Sequence, residues 1–435
     1  MSPLAICMLS LLFLLAIGVP IFASLAISAS ISIIFHDILP LAVINTSLFE
    51  GMNIFPLLAI PCFLVAGALM EKGNITEQIV NVVKIIVGRT YGGMGITTLM
   101  ACTLFAAISG SGSATVAAVG TLLIPSMIKN GYSRTYSGNV AAVGGTIGIL
   151  IPPSNPMILY AIIGNLSVTA MFTAGFLPGI IQATALSIVA WTQAWRRGFR
   201  ADESTPPFTF GRLFAAVYHS FFSLATVVIV LGSIYAGLAT PVEASVVAVL
   251  WALFVGFAVN RALTLRKVAE ALNEGALMCG TLIIIMGAAT LFGKILTYEQ
   301  APMRLAAAVL EFSQNKYVVL LLIIAALYIL GMFMETLVTV ILVSPVLLPV
   351  ILQLGIDPIH FGIIMVMCNE VGLLTPPLGV NIFVASKIAN VSVERLAVAS
   401  LPYIGAMTVV ILIVMVFPDI ATCLPVWLGY YTGVR

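Results

Sequence analysis

The chain has 435 residues, of which 61% are hydrophobic and only 8% are charged, and its mean hydropathy is +1.18. Soluble domains carry about 25% charged residues, so the composition excludes a conventional soluble catalytic domain and indicates a polytopic membrane protein. Its long apolar runs predict helices and not the short alternating segments of a β-barrel. The net charge of +2 favours no class of partner, and the six cysteines form no CxxC pair.

Three apolar or amphipathic stretches open the chain. Residues 2–35 are interrupted near Pro20, which allows one long helix or two short crossings. Residues 52–70 predict a membrane span, since about 20 apolar residues cross a bilayer. Residues 75–88 predict an interfacial helix, because their apolar and polar side chains fall on opposite faces.

A hairpin and an interrupted helix follow. Residues 91–128 have a Ser- and Gly-rich centre, 109–115, which is too polar for a spanning helix and predicts the tip of a re-entrant hairpin. Residues 135–163 predict a helix broken between residues 145 and 156, where three prolines cannot continue the hydrogen-bonded ladder. Because freed backbone groups at this depth must line a cavity or lie within protein, the break predicts a transport site.

After a crossing at 168–195, the second half of the chain repeats these elements. Its hairpin is expected to have a tip at 335–339, and its interrupted helix is expected to break at 372–381. The predicted elements are the spans 218–236, 242–257 and 275–296, an amphipathic stretch 302–312, a hairpin 317–350, a broken helix 359–388 and a last span 393–417.

A constant offset of 224 residues superposes prolines and glycines of the two halves. Chance similarity between apolar segments does not explain several such pairs in one register. We therefore predict two repeats, 1–205 and 206–435, joined by the polar stretch 196–207. The superposed pairs are Pro125 and Pro349, Gly148 and Gly372, Pro152 and Pro376, Pro153 and Pro377, and Pro178 and Pro402.

Basic residues predict how the chain crosses the membrane, because cytoplasmic loops are enriched in Lys and Arg. Arg212 and a cluster of three basic residues at 261–267 both belong in the cytoplasm, so the apolar residues between them cross twice. Each half then has about five crossings plus one hairpin, which inverts the second half relative to the first. This arrangement places the N-terminus outside the cytoplasm.

The two hairpins are expected to enter from opposite faces, so that their tips meet near the midplane. Helix N-termini there suit carboxylates, and helix C-termini with unwound carbonyls suit a hard cation. The alternative is that the small residues only allow close helix packing. The candidate polar groups are Ser109, Ser111, Ser113 and Thr115 with Ser154 and Asn155 opposite, and Glu335, Thr336 and Thr339 with Thr375 and Asn381 opposite.

Three acidic residues lie within or beside apolar runs. Glu335 is an ion ligand, a proton carrier or a support for the tip amides, since acids at membrane depth are functional by default. Glu243 follows Pro241 and predicts a helix cap. Glu370 adjoins the second break. We expect it to support the residues that contact the ligand without contacting the ligand itself. The three histidines lie near span ends and receive no role.

Several short motifs, taken in order, resemble the large membrane subunit of the tripartite ATP-independent periplasmic (TRAP) transporters. Each motif is weak alone, and together they run through nearly the whole chain. The sequence departs from the family pattern at Glu335, where an Asp is expected, and we expect no small subunit fused at the N-terminus. The motifs are FPLLAIP (55–61), SGS (109–111), IPPS (151–154), AGFLPG (174–179), GMFME (331–335) and LTPPLG (374–379).

The resemblance implies an elevator-type protein, with a scaffold and a transport domain, in a bacterial inner membrane, and so a periplasmic N-terminus. It implies Na⁺-driven uptake of an organic acid anion, such as a C4-dicarboxylate, a sialic acid or a similar sugar acid. A periplasmic substrate-binding protein would deliver this anion. A small four-helix membrane subunit is expected as a separate chain, and no enzymatic activity is expected.

The resemblance also implies two Na⁺ sites, one where each hairpin tip meets its broken helix. The residues carried over to Na⁺ site 1 are Ser109, Ser111, Thr115, Gly148 and Pro152. Those carried over to Na⁺ site 2 are Glu335, Thr336, Thr339, Gly372, Thr375 and Pro376. The expected substrate-binding residues are Ser111, Ser113, Ser154, Asn155, Thr336 and Asn381.

Two other functions compete with this interpretation. A stand-alone divalent-anion/Na⁺ symporter of similar inverted-hairpin build would take up its substrate without a binding protein. An intramembrane hydrolase using a serine of the Ser-Gly run would need a base at the same depth, and the histidines lie near span ends.

Overall fold

A computed structural model of the chain describes residues 2–199 and 208–433, and this part contains helices and no strand. Nine helices within it are long and apolar enough to cross a membrane, or ten if the bent pair Phe210–His219 and Phe221–Tyr235 is one span. The prediction of an all-α polytopic protein is therefore confirmed. Of the predicted join between the halves, residues 200–207 lie outside the described residues.

The first predicted half contains ten helices among its described residues, with a short 3₁₀ turn at Phe55–Leu58. The helices are α1 Pro3–Ala16, α2 Ile21–His36, α3 Ala42–Met52, α4 Ala59–Lys72, α5 Ile75–Val87, α6 Gly93–Ser109, α7 Gly112–Lys129, α8 Arg134–Leu150, α9 Asn155–Ile163 and α10 Val168–Arg196.

The described part of the second half contains eleven helices, with a π-helical turn at Val255–Val259. The helices are α11 Phe210–His219, α12 Phe221–Tyr235, α13 Pro241–Phe254, α14 Leu265–Tyr298, α15 Ala301–Phe312, α16 Lys316–Phe333, α17 Thr336–Gln353, α18 Pro358–Gly372, α19 Val380–Ala389, α20 Val393–Val416 and α21 Asp419–Trp427.

The two halves contain corresponding elements in the same order. Each has an amphipathic helix (α5, α15), then a helical hairpin (α6–α7, α16–α17), an interrupted helix (α8–α9, α18–α19) and a long closing helix (α10, α20). Prolines inside α7, α10, α17 and α20 do not end those helices. Only the two Pro-Pro segments, both with a cis bond between the prolines, separate α8 from α9 and α18 from α19.

Three helices, α3, α11 and α21, were not predicted, and α14 is longer than the predicted span 275–296. Tertiary contacts stabilise α3, which lies beside the end of α14. Lys294 Nζ is 2.8 Å from Glu50 Oε2, and Gly51 allows the two helices to approach closely at Thr290. These contacts join residues far apart in sequence, which is why a local pattern did not predict the helix.

The core of the fold is formed around α8 and α18. Every residue from Tyr136 to Leu150 is buried, as is every residue of α18. Helices buried on all sides lie in the interior of an assembly of helices, and these two also bury polar side chains such as Asn139 and Asn369. Both central helices end at the breaks, of which the first is buried and the second is partly exposed at Pro377 and Leu378.

Candidate functional site

The first hairpin tip packs against the first helix break. Gly110 links α6 to α7 with a φ of +60°, and a Cβ there would lie 2.9 Å from the carbonyl oxygen of Pro153. The backbone N–H of Asn155 also donates to the Gly110 oxygen at 3.5 Å. Glycine is therefore required at this position both for its backbone conformation and for the close approach.

Hydroxyl groups cluster behind this tip. Thr115 Oγ1 lies 3.0 Å from Ser109 Oγ and donates to the Ser111 carbonyl oxygen at 2.8 Å. A Cβ on Gly148 would lie 3.1 Å from Thr115 Oγ1, so glycine brings the end of α8 close to the hydroxyls. The structure thus brings together four residues predicted for Na⁺ site 1, and Pro152 lies in the adjoining break.

The second tip packs against the second break in a similar way. The N–H of Leu378 donates to the carbonyl oxygen of Met332 at 3.0 Å. Gly331 and Gly372 touch so closely that a Cβ on Gly372 would overlap the Gly331 carbonyl group. The contact surfaces differ in exposure, because the first break is buried whereas Leu378 in the second is 38% exposed.

The second tip is shorter than predicted. Helix α17 begins at Thr336, so residues 336–339 form its first turn, and only Met334 and Glu335 lie outside the helices. Thr339 Oγ1 donates to the Glu335 carbonyl oxygen at 3.2 Å. In the facing break, Thr375 Oγ1 donates to the Val371 oxygen at 2.8 Å, and Pro376 follows. The residues predicted for Na⁺ site 2 therefore surround the second tip and its break.

A small cavity of about 30 Å³ lies between the two tips. The first residues of four helices line it: Gly112 of α7, Asn155 of α9, Thr336 of α17 and Val380 of α19. Each helix N-terminus presents unpaired N–H groups and the positive end of a helix dipole. Because all four point their N-termini at one space, the cavity is suited to an anion.

None of these four N-termini has a side-chain cap among the described residues. Elsewhere side chains do cap helices, as Ser133 does for α8, Ser167 for α10 and Asp357 for α18. Ser111 and Ser154 stand at N-cap positions beside the cavity and have suitable hydroxyls, but neither hydroxyl caps its helix. The first N–H groups of α7, α17 and α19 are therefore not bonded to a side-chain cap, whereas the N–H of Asn155 at the start of α9 donates to the Gly110 oxygen.

Several buried polar atoms around the cavity also have no hydrogen-bond partner. They are Ser154 Oγ, Asn155 Oδ1 and Thr336 Oγ1. Buried polar groups are almost always paired, so unpaired ones require an explanation. A bound ligand that forms hydrogen bonds with these atoms would explain why they have no partner within the protein.

Four of the six predicted substrate-binding residues line the cavity, namely Ser111, Ser113, Asn155 and Thr336. Ser154 is buried beside them. Asn381 was predicted to lie opposite the second tip. This placement was wrong, because the residue faces the first hairpin. Its Nδ2 donates to the Ala142 oxygen at 3.2 Å, since α19 packs against α7 and α8.

The sequence did not predict three residues at the site. Leu64 of α4 and Met278 of α14 line the cavity, but nothing distinguishes them from other apolar side chains in their helices. Asn369 is 1% exposed, has no partner for either amide atom and packs against Gly331. Asn369 could have been predicted from the sequence, because its amide lies within the apolar run of α18.

The predicted cap at Glu243 is confirmed. Glu243 Oε2 accepts from the Thr240 N–H at 2.8 Å, and the Glu243 N–H donates to Thr240 Oγ1 at 3.3 Å. This reciprocal pair is a capping box, which stabilises the start of α13 and leaves Glu243 with a structural role.

Comparison with known proteins identifies the family. Residues 8–420 match the family described as tripartite ATP-independent periplasmic transporter, DctM component. The C4-dicarboxylate TRAP transporter large permease protein DctM of Pseudomonas aeruginosa is 37% identical over 406 residues, covering 93% of this chain and 94% of that protein. The sialic acid TRAP transporter large permease protein SiaM of Vibrio cholerae is 36% identical over 418 residues, covering 96% and 97%.

A longer relative and a solved structure extend the comparison. The isethionate TRAP transporter permease protein DctMQ of Oleidesulfovibrio alaskensis is 38% identical over 409 residues, but this chain spans only 64% of its length. The crystal structure of the YdaH transporter of Alcanivorax borkumensis superposes with a TM-score of 0.64 and 15% identity, covering 90% of this chain and 89% of that one. At that identity the likeness concerns the fold alone.

The relatives are permeases and not enzymes, and the resemblance inferred from the sequence motifs is confirmed. The family match spans nearly the whole chain, and full-length large permeases align with it from end to end. The chain therefore belongs to the DctM component family of tripartite ATP-independent periplasmic transporters.

Proposed function

We propose that this chain is the large permease subunit of a Na⁺-coupled transporter that takes up an organic acid anion. The observation that carries the proposal is the convergence of four uncapped helix N-termini, those of α7, α9, α17 and α19, on one cavity. Such N-termini stabilise a carboxylate or sulfonate without a basic side chain. The cavity lining indeed contains no Lys or Arg among the described residues.

The substrate class follows from the same site and from the relatives. The three relatives described above are named for isethionate, C4-dicarboxylate and sialic acid, which are all organic acids. We therefore propose an organic anion with at least one acidic group. Ser111, Ser113, Ser154, Asn155 and Thr336 would supply its hydrogen-bonding partners, with Asn381 supporting the first hairpin.

Charge provides a physical reason for Na⁺ coupling. Glu335 lines the same cavity as the proposed anion, and two like charges held in one small cavity repel each other. A hard cation at each tip-break junction would offset this repulsion. The oxygen atoms of Ser109, Thr115 and Thr339, with the carbonyls that end α8 and α18, are the ligand type that Na⁺ favours.

The size of the cavity favours a moving transport domain. A volume of about 30 Å³ accommodates water but no organic acid, so the tips must separate before substrate binds. We propose that the hairpins and broken helices move as an elevator against a scaffold that includes α4 and α14. In this arrangement residues 1–205 and 206–435 are inverted repeats in a bacterial inner membrane, with the N-terminus in the periplasm.

Two partners complete the proposal. A periplasmic substrate-binding protein would deliver the anion, and a small four-helix membrane subunit would bind as a separate chain. The alternative is a stand-alone divalent-anion/Na⁺ symporter. The two functions differ in whether this chain transports without a binding protein.

Reconstitution into proteoliposomes tests the proposal. The ligand of the cognate binding protein is first identified by screening organic acids, and its uptake is then measured with the full chain, the small subunit and the binding protein. We expect uptake only with all three proteins and an inward Na⁺ gradient, and none when choline replaces Na⁺. Uptake by the chain alone would favour the stand-alone symporter, and uptake without Na⁺ would contradict the coupling.

A further inference from the structure

A groove separate from the substrate cavity lies where α10 ends and α20 begins. Its volume is about 570 Å³, and its lining includes Gln193 and Arg197 at the end of α10 and Arg395 and Pro402 of α20. Both helices are long and apolar enough to cross a membrane. The groove therefore runs between two membrane-crossing helices, with its charged end at a membrane surface.

Neighbouring side chains indicate which surface this is. Trp191 and Trp195 are 43% and 61% exposed near the end of α10, and exposed Trp side chains concentrate at the level of the lipid headgroups. Arg197 follows Trp195 by two residues, so it lies close to the lipid phosphates. Basic residues cluster on the cytoplasmic side of membrane proteins. Those in the first or last turn of a helix at this end are Arg134, Arg196, Lys387 and Arg395.

The two arginines that line the groove are available to an anion. None of the ion pairs among the described residues involves Arg197 or Arg395, and both side chains are exposed. The Arg197 guanidinium lies 6.0 Å from the centre of the Tyr136 ring, a cation–π contact that restrains it beside the groove. Guanidinium groups bind phosphate oxygens through paired N–H donors. The charged end of the groove is therefore suited to a phosphate group.

An apolar wall continues from this charged end along α20. Arg395, Val398 and Pro402 are spaced three and four residues apart, so they lie on one face of the helix. Val398 is 67% exposed, and Pro402 is exposed as well. From Arg395 to Pro402 the helix rises about 10 Å. A soluble phosphate would not contact such a wall, whereas the acyl chain of a lipid would cover it.

One acid also lines the groove and limits the charge of its ligand. Glu394 is exposed and takes part in none of the ion pairs among the described residues. Two guanidinium groups and one carboxylate leave one net positive charge. A single phosphodiester carries the matching negative charge. An ammonium group in the same headgroup would be repelled by two cations and attracted by only one anion, so a zwitterionic lipid fits less well.

We propose that this groove binds one anionic phospholipid of the cytoplasmic leaflet. The phosphodiester contacts Arg197 and Arg395, and one acyl chain lies along Val398 and Pro402. Basic pockets between membrane helices on the cytoplasmic side are typical sites for anionic headgroups. The lipid bridges α10 and α20, the closing helices of the two halves. This inference does not depend on the transported substrate or on Na⁺ coupling.

Native mass spectrometry of the purified full chain in a non-ionic detergent tests the proposal, with phosphatidylglycerol as the probe. We expect one phosphatidylglycerol to bind the wild type about tenfold more tightly than phosphatidylcholine with the same acyl chains. Arg197→Gln with Arg395→Gln should weaken phosphatidylglycerol binding about tenfold or more. Arg261→Gln with Arg266→Gln is the matched control, because it removes the same charge from exposed positions at the start of α14 and outside the groove.

A single variant guards against misfolding of the double variant. Arg395→Gln leaves the contact between Arg197 and Tyr136 intact, so we expect an unchanged melting temperature in lipid-free detergent. Its phosphatidylglycerol binding should still be weaker by about fivefold. Glu394→Gln removes the repelling charge and should tighten binding of the same lipid.

A competition experiment identifies the source of the phosphate. Glycerophosphoglycerol has the same headgroup without acyl chains, so it should not displace phosphatidylglycerol at equal concentration. Displacement at equal concentration would mean a site for a soluble phosphate, and it would overturn the proposal.

Two results from the lipid titrations would also overturn the proposal. The first is equal phosphatidylglycerol binding by Arg395→Gln, the groove double variant and the control variant. The second is tighter binding of phosphatidylethanolamine than of phosphatidylglycerol by the wild type, together with weaker phosphatidylglycerol binding in Glu394→Gln. That result would mean that the groove selects an ammonium group through Glu394.

Discussion

Thr115 and Thr339 make the same hydrogen bond in the two hairpins. Each Oγ1 donates to the carbonyl oxygen four residues earlier, Thr115 to Ser111 at 2.8 Å and Thr339 to Glu335 at 3.2 Å. The two threonines are separated by the same offset of 224 residues that relates the prolines of the breaks. Each bond fixes the first turn of the helix that leaves a tip.

The first prediction concerns the hydroxyl of Thr115. Thr115→Val keeps the branched shape but removes an oxygen close to Gly148 and Ser109. Loss of a ligand worth about 1 kcal/mol should raise the Na⁺ concentration for half-maximal uptake about fivefold. Thr121→Val is the control, because Thr121 Oγ1 bonds to the Ala118 oxygen on the same helix away from the tip. If the two variants had equal Na⁺ response curves, the Thr115 hydroxyl would not be a Na⁺ ligand.

The second prediction separates binding from stability at Thr336. Its buried Oγ1 has no partner, so Thr336→Val should leave the melting temperature unchanged or raise it. The same substitution should increase the substrate concentration for half-maximal uptake several-fold. In the control Thr98→Val, loss of the 2.8 Å bond to the Met94 oxygen should lower stability by about 1 kcal/mol and leave uptake unchanged. If Thr336→Val instead lowered the melting temperature and left uptake normal, the Thr336 hydroxyl would have a structural role and not a binding role.

The third prediction concerns the break itself. Pro152→Ala restores a backbone N–H between α8 and α9 and should favour a continuous helix, since Pro disfavours a helix by about 3 kcal/mol relative to Ala. We expect initial uptake rates to fall by about tenfold or more, equivalent to about 1.4 kcal/mol. Pro125→Ala is the control, because Pro125 lies inside the continuous helix α7. Wild-type flux in Pro152→Ala would mean that the break is dispensable.

The fourth prediction concerns the contact between hairpin and break in the second half. Gly372→Ala places a Cβ on the Gly331 carbonyl group, so α16 and α18 must separate. Overpacking of this kind costs about 1–3 kcal/mol, and the melting temperature in detergent should fall accordingly. Gly405→Ala in α20 has open space around the added Cβ and should not lower it. Equal melting temperatures for the two variants would refute the close contact.

Much of the fold could be predicted from the sequence, because apolar length and proline position are local signals. The first hairpin was predicted at 91–128 and spans α6 and α7, and the second broken helix was predicted at 359–388 and spans α18 and α19. Helix α3 was missed because its stability depends on contacts with α14, including the Glu50–Lys294 pair. Such long-range contacts leave no periodic pattern in a single segment.

The site was predictable in its parts but not in its assembly. Tip and break residues were identified from their polarity and their prolines, and the structure brings tip and break together in each half. The location of Asn381 beside Gly112 and Gly145 depends on how α19 packs across the centre. The sequence also did not predict that Ser111 and Ser154 leave their helices without a side-chain cap, because a Ser at an N-cap position normally accepts a hydrogen bond from the helix.

Direct binding of radiolabelled Na⁺ to the purified chain tests the central claim, that each hairpin tip and its helix break form a cation site. We expect saturable binding to the wild type that unlabelled Na⁺ displaces and K⁺ does not. The variant Ser111→Ala with Thr339→Ala, which changes one residue at the first tip and one in the first helical turn after the second tip, should stay folded and lose most of this binding. Unchanged Na⁺ binding in that variant would contradict the claim.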